Sequence, residues 1–465
     1  MSLWIHWCNA IWLLRPACSR LRTFMWFTTA VAGLTVRTEM LGVTSIVRAL
    51  KFHPRFYDRL LDQFHSSAID LNGLAALWTR VVLRLFPHPL RVNGRLVLVG
   101  DGIKAAKRGK KMPAVKLLHQ QSECNKPEFI MGHSLQAVCI LIHAAHSVFA
   151  VPLAMRIHEG LVWSNRDRRT LLDKMLTLLG IVNIGETFYF VGDAYYASGK
   201  IINGLLDQNN HLVSRAKSNA VAYTPHVQHG PKKRGRPRIY GKKIALNSLF
   251  KDKQAMQEAS SPVYGDKNIK LQYRTCDFLW RPAGRIVRFV AIVHPSQGRW
   301  LLMCTDTTLN ALEIIRLYGL RFKIELTFKQ AVNVIGSLAY HFCMKKMKPL
   351  RRRNGNQYLH RESLDYRNAV KRKMNAYHLF IQAGIVSQGL VQYLAAVFPQ
   401  LVWDSFGSWL RTIRLGVPPS ELVVTIALRQ SLPEFLLSTA KSNCLAKFIL
   451  DRQDTNKMDL FRLAG

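Results

Sequence analysis

Two segments of this chain share one design, an apolar strand that delivers an aspartate at its end. The first runs from Arg95 to Asp101, and the second runs from Thr187 to Asp193. Either aspartate alone is ordinarily a turn residue or a helix N-cap. Buried strands that each end in an acid, however, place those acids at the rim of a sheet, where ligands and metal ions bind. The matched pair therefore favours a shared site.

The charge balance indicates an anionic partner. The chain has 66 Lys and Arg residues against 28 Asp and Glu residues, a formal net charge of +38. Such a field attracts polyanions, chiefly nucleic acid or an anionic membrane surface. Because 49% of the residues are hydrophobic and 10% are aromatic, the chain can bury large cores. A disordered basic tail is therefore excluded as its main content.

The uncharged run from Leu135 to Met155 is long enough to span a membrane. It contains Pro152 and several polar residues and is rich in Val and Ile, so two strands joined by a turn near residues 145–147 fit better. A membrane protein stays the weaker alternative. The eight cysteines form no CxxC pair and no zinc-ligand spacing, which indicates a reducing compartment. We therefore expect a cytoplasmic protein without a membrane partner.

Cations crowd the segment that follows Asp101. They are Lys104, Lys107, Arg108, Lys110, Lys111 and Lys116. A charge run is usually a solvated face, but this one begins three residues after the candidate ligand, so we interpret it as a patch that follows DNA phosphates. So many cations predict that Asp101 is ionised.

A predicted helix carries the third acid. At 100° per residue, one helical face presents four polar side chains: Tyr318, Arg321, Glu325 and Lys329. The plain alternative is a surface helix with an Arg321/Glu325 ion pair one turn apart. Asp306 ends a further apolar strand and is predicted to cap this helix.

The order of elements predicts an α/β fold. Three strands come first, at residues 96–99, 135–142 and 148–157. A helix at 168–179, the strand that ends at Asp193, a helix at 198–206 and a strand at 212–215 follow. This is the order of a ribonuclease H-like core.

The sequence resembles bacterial insertion-sequence transposases of the DDE superfamily, over roughly residues 40–345. The third motif of that group reads Tyr, two residues, Arg, three residues, Glu, six residues, Lys. Tyr318, Arg321 and Glu325 match it, but Val332 stands where the lysine is expected, and Lys329 is the nearest substitute. The contexts of Asp101 and Asp193 are also similar.

The resemblance implies a DNA transposase that binds insertion-sequence ends and catalyses metal-dependent strand cleavage and strand transfer. Two Mg²⁺ ions, for which Mn²⁺ can substitute, would be held by three carboxylates: Asp101, Asp193 and Glu325. The groups that would bind the scissile phosphate are Tyr318 and Arg321, assisted by Lys329 or Lys104. The alternative, favoured by Val332, is a catalytically impaired DNA-binding protein of transposase descent.

The distance from Asp193 to Glu325 leaves room for a β-rich insertion, which this group of transposases carries. Its basic loop contains Arg234 and Arg236, in the core of an AT-hook, so the loop either reads a narrow minor groove or binds phosphates without specificity. Trp280 or Trp300 would stack a displaced base as in related transposases, although core packing is the ordinary role of either.

Five regions follow from this reasoning. They are a helical DNA-binding region at 1–90, the first part of the core at 91–216, the β-rich insertion at 217–306, the Glu-bearing helix at 307–345, and a basic linker with a helical region at 346–465. The many N-terminal arginines, Arg37 among them, would read terminal inverted repeats. The helices predicted at 376–398 and 420–450 would support a homodimer on double-stranded donor and target DNA. A nucleoid-associated protein of the cytoplasm is expected.

Overall fold

A computed structural model describes residues 2–120, 127–145, 147–227, 238–351, 353–407, 413–414 and 416–454. The α-helices are α1 (Leu3–Trp12), α2 (Leu21–Val36), α3 (Val43–Ala49), α4 (Tyr57–His65), α5 (Leu71–Leu85), α6 (Leu171–Val182), α7 (Gly199–Leu206), α8 (Ala311–Leu320), α9 (Lys323–Gln330), α10 (Leu364–Val397), α11 (Pro399–Phe406), α12 (Glu421–Thr439) and α13 (Cys444–Leu450). The strands are β1 (Arg91–Val92), β2 (Arg95–Ala106), β3 (Lys116–His119), β4 (Phe129–Ala144), β5 (Ser147–Ile157), β6 (Leu161–Val162), β7 (Phe188–Gly192), β8 (His211–Arg215), β9 (Val221–Pro225), β10 (Tyr240–Ala245), β11 (Gln257–Ser260), β12 (Lys270–Trp280), β13 (Arg285–His294), β14 (Gly298–Cys304) and β15 (Gln357–Tyr358).

One large mixed sheet organises the chain, which confirms the predicted α/β class. Thirteen strands belong to it. Ten follow the order β10-β9-β12-β13-β14-β8-β7-β2-β4-β3, while β1 pairs with β2, β11 pairs with β12, and β5 pairs with residues 135–144 of β4. The strand β2 is antiparallel to β4 and parallel to β7, and β7 is parallel to β8. Strands of the predicted insertion join the same sheet, because β14 pairs with β8.

The strand β2 lies at the centre of this arrangement. Residues 96–99 are apolar and fully buried, as expected for a strand covered on both faces. Asp101 was predicted to end this strand, but β2 continues to Ala106. The reason is the length of β4, which pairs with β2 as far as Ala106 and Gly132. The parallel partner β7 stops earlier, so Asp101 lies where one side of β2 loses its neighbour.

The helices from both ends of the chain pack together. The helix α2 is buried from Phe24 to Val36 and contacts α10, α12 and α13. The helix α10 also packs on β5, α4 and α5. From Ala376 to Leu394 it is largely buried inside its own chain, so it offers little surface for the dimer contact predicted at 376–398. The homodimer itself stays a prediction. The division of the chain into five regions stays a prediction.

The sequence contains one helix, among the described residues, that is long and apolar enough to cross a membrane. This helix is α10, and 83% of its most apolar window is buried inside the protein. That is the position of a core helix. The run from Leu135 to Met155, considered above as a span, forms parts of the paired strands β4 and β5, as predicted.

The helix that carries Glu325 is interrupted. It was predicted to be continuous, but α8 ends at Leu320 and α9 begins at Lys323. Arg321 and Phe322 keep right-handed helical dihedrals, so the break is a tight one. After α9, a π-helical turn spans Ala331–Ile335 and ends at Gly336 in the left-handed region.

Arg37 fixes the end of this π-helical turn. Its guanidinium donates to the carbonyls of Ile335, Gly336 and Gly42 at 2.8–3.2 Å and to Ser45 Oγ at 2.9 Å. The residue is only 2% exposed, and burial lowers its pKa to about 10. Arg37 therefore holds the N-terminal helices against the segment behind Glu325. Its predicted role in reading DNA is wrong.

We expect the substitution R37M to lower the free energy of unfolding by about 3 kcal/mol, because it leaves buried carbonyl groups without donors. Urea unfolding followed by circular dichroism measures this change. The matched control is R48M, which removes an exposed arginine paired with Glu39 and is expected to cost less than about 1 kcal/mol. Equal losses in the two variants would contradict the assigned role of Arg37.

Candidate active site

Strand register brings the two aspartates to the same level of the sheet. Val99 of β2 pairs with Val191 of β7, so Asp101 and Asp193 each lie two residues beyond a matched pair. The backbone N–H of Gly102 donates to Asp101 Oδ1 at 2.7 Å, and that of Tyr195 donates to Asp193 Oδ1 at 3.1 Å. These local hydrogen bonds orient both carboxylates.

Arg321 connects the sheet to the third acid. Its guanidinium donates to Asp101 Oδ2 at 2.8 Å through one terminal nitrogen and to Glu325 Oε1 at 2.6 Å through the other. The Asp101 and Arg321 side chains are each 20% exposed, whereas Glu325 is 55% exposed. The Arg321/Glu325 ion pair of the plain helix interpretation therefore exists, but the same guanidinium also pairs with Asp101 and so links two of the three acids.

Burial and the charges of the site shift the pKa values of both aspartates. Burial raises the pKa of Asp101 to about 6; Gly102 and Arg321 oppose this rise, while Asp193 and Glu325 add to it. Burial also raises the pKa of Asp193, against the hydrogen bond from Tyr195 and the charge of Arg321. The expectation that neighbouring cations favour the ionised form of Asp101 is wrong in the direction of the pKa shift, because burial outweighs them, although a pKa of about 6 still leaves this carboxylate ionised at neutral pH.

The cations that follow Asp101 do not form one patch. Lys104 is three residues along a regular strand, so its side chain lies on the opposite face from Asp101 and donates to the His119 carbonyl. Lys107 is buried over the Tyr340 ring and donates to the Leu338 carbonyl. Lys116 pairs with Glu159 at 3.3 Å. The structure therefore does not bring Lys104 to the carboxylates, and the six cations do not form one continuous patch. Phosphate binding by the exposed Arg108 and Lys110 stays a prediction.

The other residues of the third motif remain near the site. Tyr318 is half-buried in the last turn of α8; burial raises its pKa, Arg321 and Arg215 lower it, and Asp193 raises it further. Lys329 is exposed one turn after Glu325, on the same face of α9. Val332 lies in the π-helical turn and is 42% exposed, so nothing there replaces the expected lysine.

Asp306 has a different role from the predicted helix cap. Its carboxylate accepts hydrogen bonds from Tyr189 Oη at 2.5 Å and from Thr308 Oγ1 at 2.6 Å. The cap of α8 is instead Asn310, whose side chain accepts from the backbone of Leu312. Asp306 is thus a buried structural acid.

The predicted stacking tryptophans are used in packing. Trp280 is 8% exposed, and Trp300 stacks on His294 with ring centroids 5.7 Å apart. Two exposed tyrosines lie beside elements of the site. Tyr195 is two residues after Asp193, and Tyr264 of the insertion lies 5.6 Å from the Phe322 ring, between α8 and α9.

Sequence reasoning also missed Arg215, an exposed residue that ends β8. Gly192 of β7 pairs with Ser214 of β8, so Arg215 is at the level of Asp193. Ser214 Oγ donates to the Asp193 carbonyl at 2.7 Å and joins the two strand ends. The rule that drew attention to Asp101 and Asp193, a functional side chain after an apolar strand, also fits Arg215. Arg234 and Arg236 of the basic loop lie outside the described residues.

Comparison with known families agrees with this geometry. A family model described as DDE superfamily endonuclease matches residues 16–276, more than half of the chain. The chain belongs to the DDE superfamily endonucleases. Asp101 and Asp193 lie inside the matched region of this DDE endonuclease, whereas Glu325 lies beyond it. No match to the chain was found among curated proteins. The family confirms the coarse prediction of a transposase-like nuclease and implies that DNA is the substrate.

DDE-type endonucleases generally use divalent metal ions, and the donor chemistry here suits them, because carboxylate oxygens are the ligands that Mg²⁺ prefers. The positions of the carboxylates, however, do not suit a shared metal ion in this conformation. Among the described residues, no three His, Cys, Asp or Glu side chains lie close enough together to hold one ion. The Arg321 guanidinium occupies the space between Asp101 and Glu325. Metal binding by both of these acids therefore requires Arg321 to move.

We expect D101N to stabilise the protein when divalent metals are chelated. The folded pKa of Asp101, about 6, exceeds its ordinary value of 3.8. The folded protein therefore holds the Asp101 proton more tightly than the unfolded chain does. The resulting loss of folding stability is absent below pH 3.8, grows between pH 3.8 and pH 6 and is complete above pH 6, and D101N avoids it. The full gap corresponds to about 3 kcal/mol.

Thermal unfolding of wild type and D101N in EDTA measures this cost. The melting temperature of D101N should exceed that of wild type at pH 8, and the difference should shrink towards pH 4. A difference that does not change with pH, or a less stable variant at pH 8, would show that burial of Asp101 is compensated.

Proposed function

We propose that this DDE endonuclease is an insertion-sequence transposase, which binds the ends of its element and catalyses metal-dependent DNA cleavage and strand transfer. The observation that carries the proposal is the bridge from Asp101 through Arg321 to Glu325, with Asp193 at the level of Asp101. A purely structural Arg321/Glu325 ion pair would not require two partly buried aspartates beside it at the ends of neighbouring strand pairings.

The sheet topology supports a ribonuclease H-like core. The strands β2, β4 and β5 pair antiparallel in chain order, with only the short β3 between β2 and β4, and β7 and β8 follow in parallel on the other side of β2. The helix α6 precedes β7, and α7 connects β7 to β8. We assign the three acids of such a core to Asp101 on β2, Asp193 directly after β7, and Glu325 on α9, which packs against β2 and β5.

The three carboxylates would hold two Mg²⁺ ions, and Mn²⁺ would substitute. When bound, the ions would activate the attacking water or 3′-hydroxyl and stabilise the leaving oxygen. The chain's own residues would orient the DNA. Once released from Asp101, Arg321 would bind a phosphate in bidentate fashion, with Tyr318 beside it. Lys329 would add a second positive charge on the exposed face of α9.

DNA would also contact the chain outside the acids. Exposed arginines of the N-terminal region are available to bind the inverted repeats: Arg20, Arg22, Arg55 and Arg59. Arg234 and Arg236 of the basic loop would add phosphate or minor-groove contacts. We propose action on chromosomal DNA in the cytoplasm, as a homodimer that cuts two ends together.

A catalytically impaired DNA-binding protein is the second candidate. The observation that favours it is Val332, which places an exposed apolar side chain where related transposases have a lysine. The two candidates share the DNA-binding surface and differ only in chemistry, so one assay separates them.

We expect wild-type protein to nick a labelled DNA duplex that carries the element's end, in the presence of Mg²⁺, and D193A to bind the same duplex without nicking it. Removing one metal ligand should lower the nicking rate by at least about 10²-fold. Gel electrophoresis of the labelled strand measures nicking, and fluorescence anisotropy measures binding. If both proteins bind and neither nicks, the DNA-binding candidate replaces the transposase.

Competition between Arg321 and metal gives a test that does not depend on activity. We expect R321Q to bind Mn²⁺ about tenfold more tightly than wild type, a gain of about 1.4 kcal/mol, because it frees the oxygens of Asp101 and Glu325. Isothermal titration calorimetry without DNA measures the affinity. The matched control is K329Q, which also removes one positive charge, from the exposed face of α9 that carries Glu325, but bridges no acids among the described residues. Unchanged Mn²⁺ affinity in R321Q would contradict the competition.

A further inference from the structure

A basic cleft of about 530 Å³ lies beside the candidate active site. Its residues come from the end of β8 and the loop that follows, from the 3₁₀ turn at Leu246–Phe250, and from β14. Ala194, the residue after Asp193, also lines it. The cleft therefore lies between the acids and the base of the insertion, and its volume is within the range of about 300–1,000 Å³ in which proteins bind small ligands.

Charge is the first indication of what this basic cleft binds. Three cations line it, Arg215, Lys217 and Arg299, and none of its lining residues is an acid. Within the described part of the chain, none of the three forms a salt bridge, whereas Arg274 and Arg288 of the same insertion are paired with Asp252 and Asp277. Closely spaced cations without carboxylates repel one another, and a bound anion relieves that repulsion.

Polar and aromatic groups complete the lining. Asn219 and Asn247 offer amide donors and acceptors. Phe250 forms a wall and lies 5.7 Å from the Arg299 guanidinium. A nucleotide strand presents phosphates, hydrogen-bonding edges and flat bases together, so this combination suits DNA better than a single inorganic ion.

The cations of the cleft begin beside the acids and lead away from them. Arg215 is at the level of Asp193 and is close enough to Tyr318 to lower its pKa. Lys217 follows two residues later, and Arg299 comes from the adjacent strand β14, where the carbonyl of Leu301 accepts from the Ala216 N–H at 2.8 Å. The cations thus extend from the carboxylates towards the insertion.

We infer that the basic cleft binds phosphates of the DNA strand that leads away from the reacting phosphate and onto the insertion. The inference rests on the proposed function, since it takes the acids as the place of reaction. Lys217 and Arg299 each contact a phosphate, and Arg215 holds the phosphate nearest to Asp193. The cleft thereby positions the strand for reaction and does not itself take part in bond cleavage.

The test measures how DNA binding depends on salt in wild type and in K217Q/R299Q. A fluorescein-labelled duplex is titrated with protein over a series of NaCl concentrations, in EDTA so that no cleavage occurs. Each lost phosphate contact reduces the slope of log K against log[salt] by about 0.9, so the double variant should lose about 1.8 and bind at least roughly tenfold more weakly at ~0.1 M NaCl.

The matched control is K270Q/R285Q, which removes one lysine and one arginine from the same insertion, outside the cleft. Its slope should stay close to that of wild type. The single variant K217E, on an exposed loop, keeps the test valid if the loss of Arg299 unfolds the protein, and it should reduce the slope by at least about 0.9.

An unchanged slope in K217Q/R299Q and K217E, or an equal loss in the control, overturns the cleft assignment. Because no metal is present, this outcome is independent of nicking. If the cleft variants lose slope but wild type never nicks in Mg²⁺, the proposed chemistry fails and the DNA contact stands. If wild type nicks and the slopes are unchanged, only the cleft assignment fails.

Discussion

A single guanidinium holds the candidate active site together. Arg321 spans from Asp101 on the central strand to Glu325 on the first turn of α9. Around it, burial disfavours the charge on both aspartates, and the charges of Asp193 and Glu325 further disfavour the ionisation of Asp101. An arrangement of this kind needs a cation among the acids. In the protein alone that cation is Arg321, and in the proposed reaction it is replaced by metal ions, which leaves Arg321 free for the substrate phosphate.

The scaffold behind this interaction is shared by distant parts of the chain. The strand β2 is fixed by β4 on one side and β7 on the other, while Arg37 from the N-terminal region fixes the turn behind α9. Lys107 donates to carbonyls of the segment that follows this turn. The insertion is continuous with the core sheet through β14 and β8, and its Tyr264 contacts Phe322 between the two helices. The position of Glu325 thus depends on packing from several predicted regions.

Much of this architecture could be predicted, because it is encoded locally. The buried strands β2, β4, β5 and β7 are continuous apolar runs, and the repeated strand-then-acid design led to Asp101 and Asp193. Glu325 followed from helical spacing together with the resemblance to transposases. The end of β2 could not be predicted, since it depends on how far β4 extends as a partner. The break at Arg321 was also hidden, because both residues there remain helical in their dihedrals.

The roles of several charged residues could not be predicted either, because their contacts are with residues distant in the sequence. Arg37 and Lys107 counted as DNA-binding cations in the sequence, but each donates instead to carbonyls that lie more than two hundred residues away. Arg215 and Arg299 are far apart in the sequence, and the pairing of β8 with β14 brings them into one cleft. A charge count therefore predicts the kind of partner, whereas the sheet pairing decides which cations remain available to it.

If Asp101, Asp193 and Glu325 form one metal site, as proposed, a bound redox-active ion should cut the backbone at all three places. Fe²⁺ is bound in place of Mg²⁺, ascorbate and peroxide generate hydroxyl radicals at the ion, and mass spectrometry locates the cuts. We expect cuts near residues 101, 193 and 325 together, which excess Mg²⁺ suppresses and which D193N lacks. Cuts at other places, or cuts that persist unchanged in D193N, would contradict it.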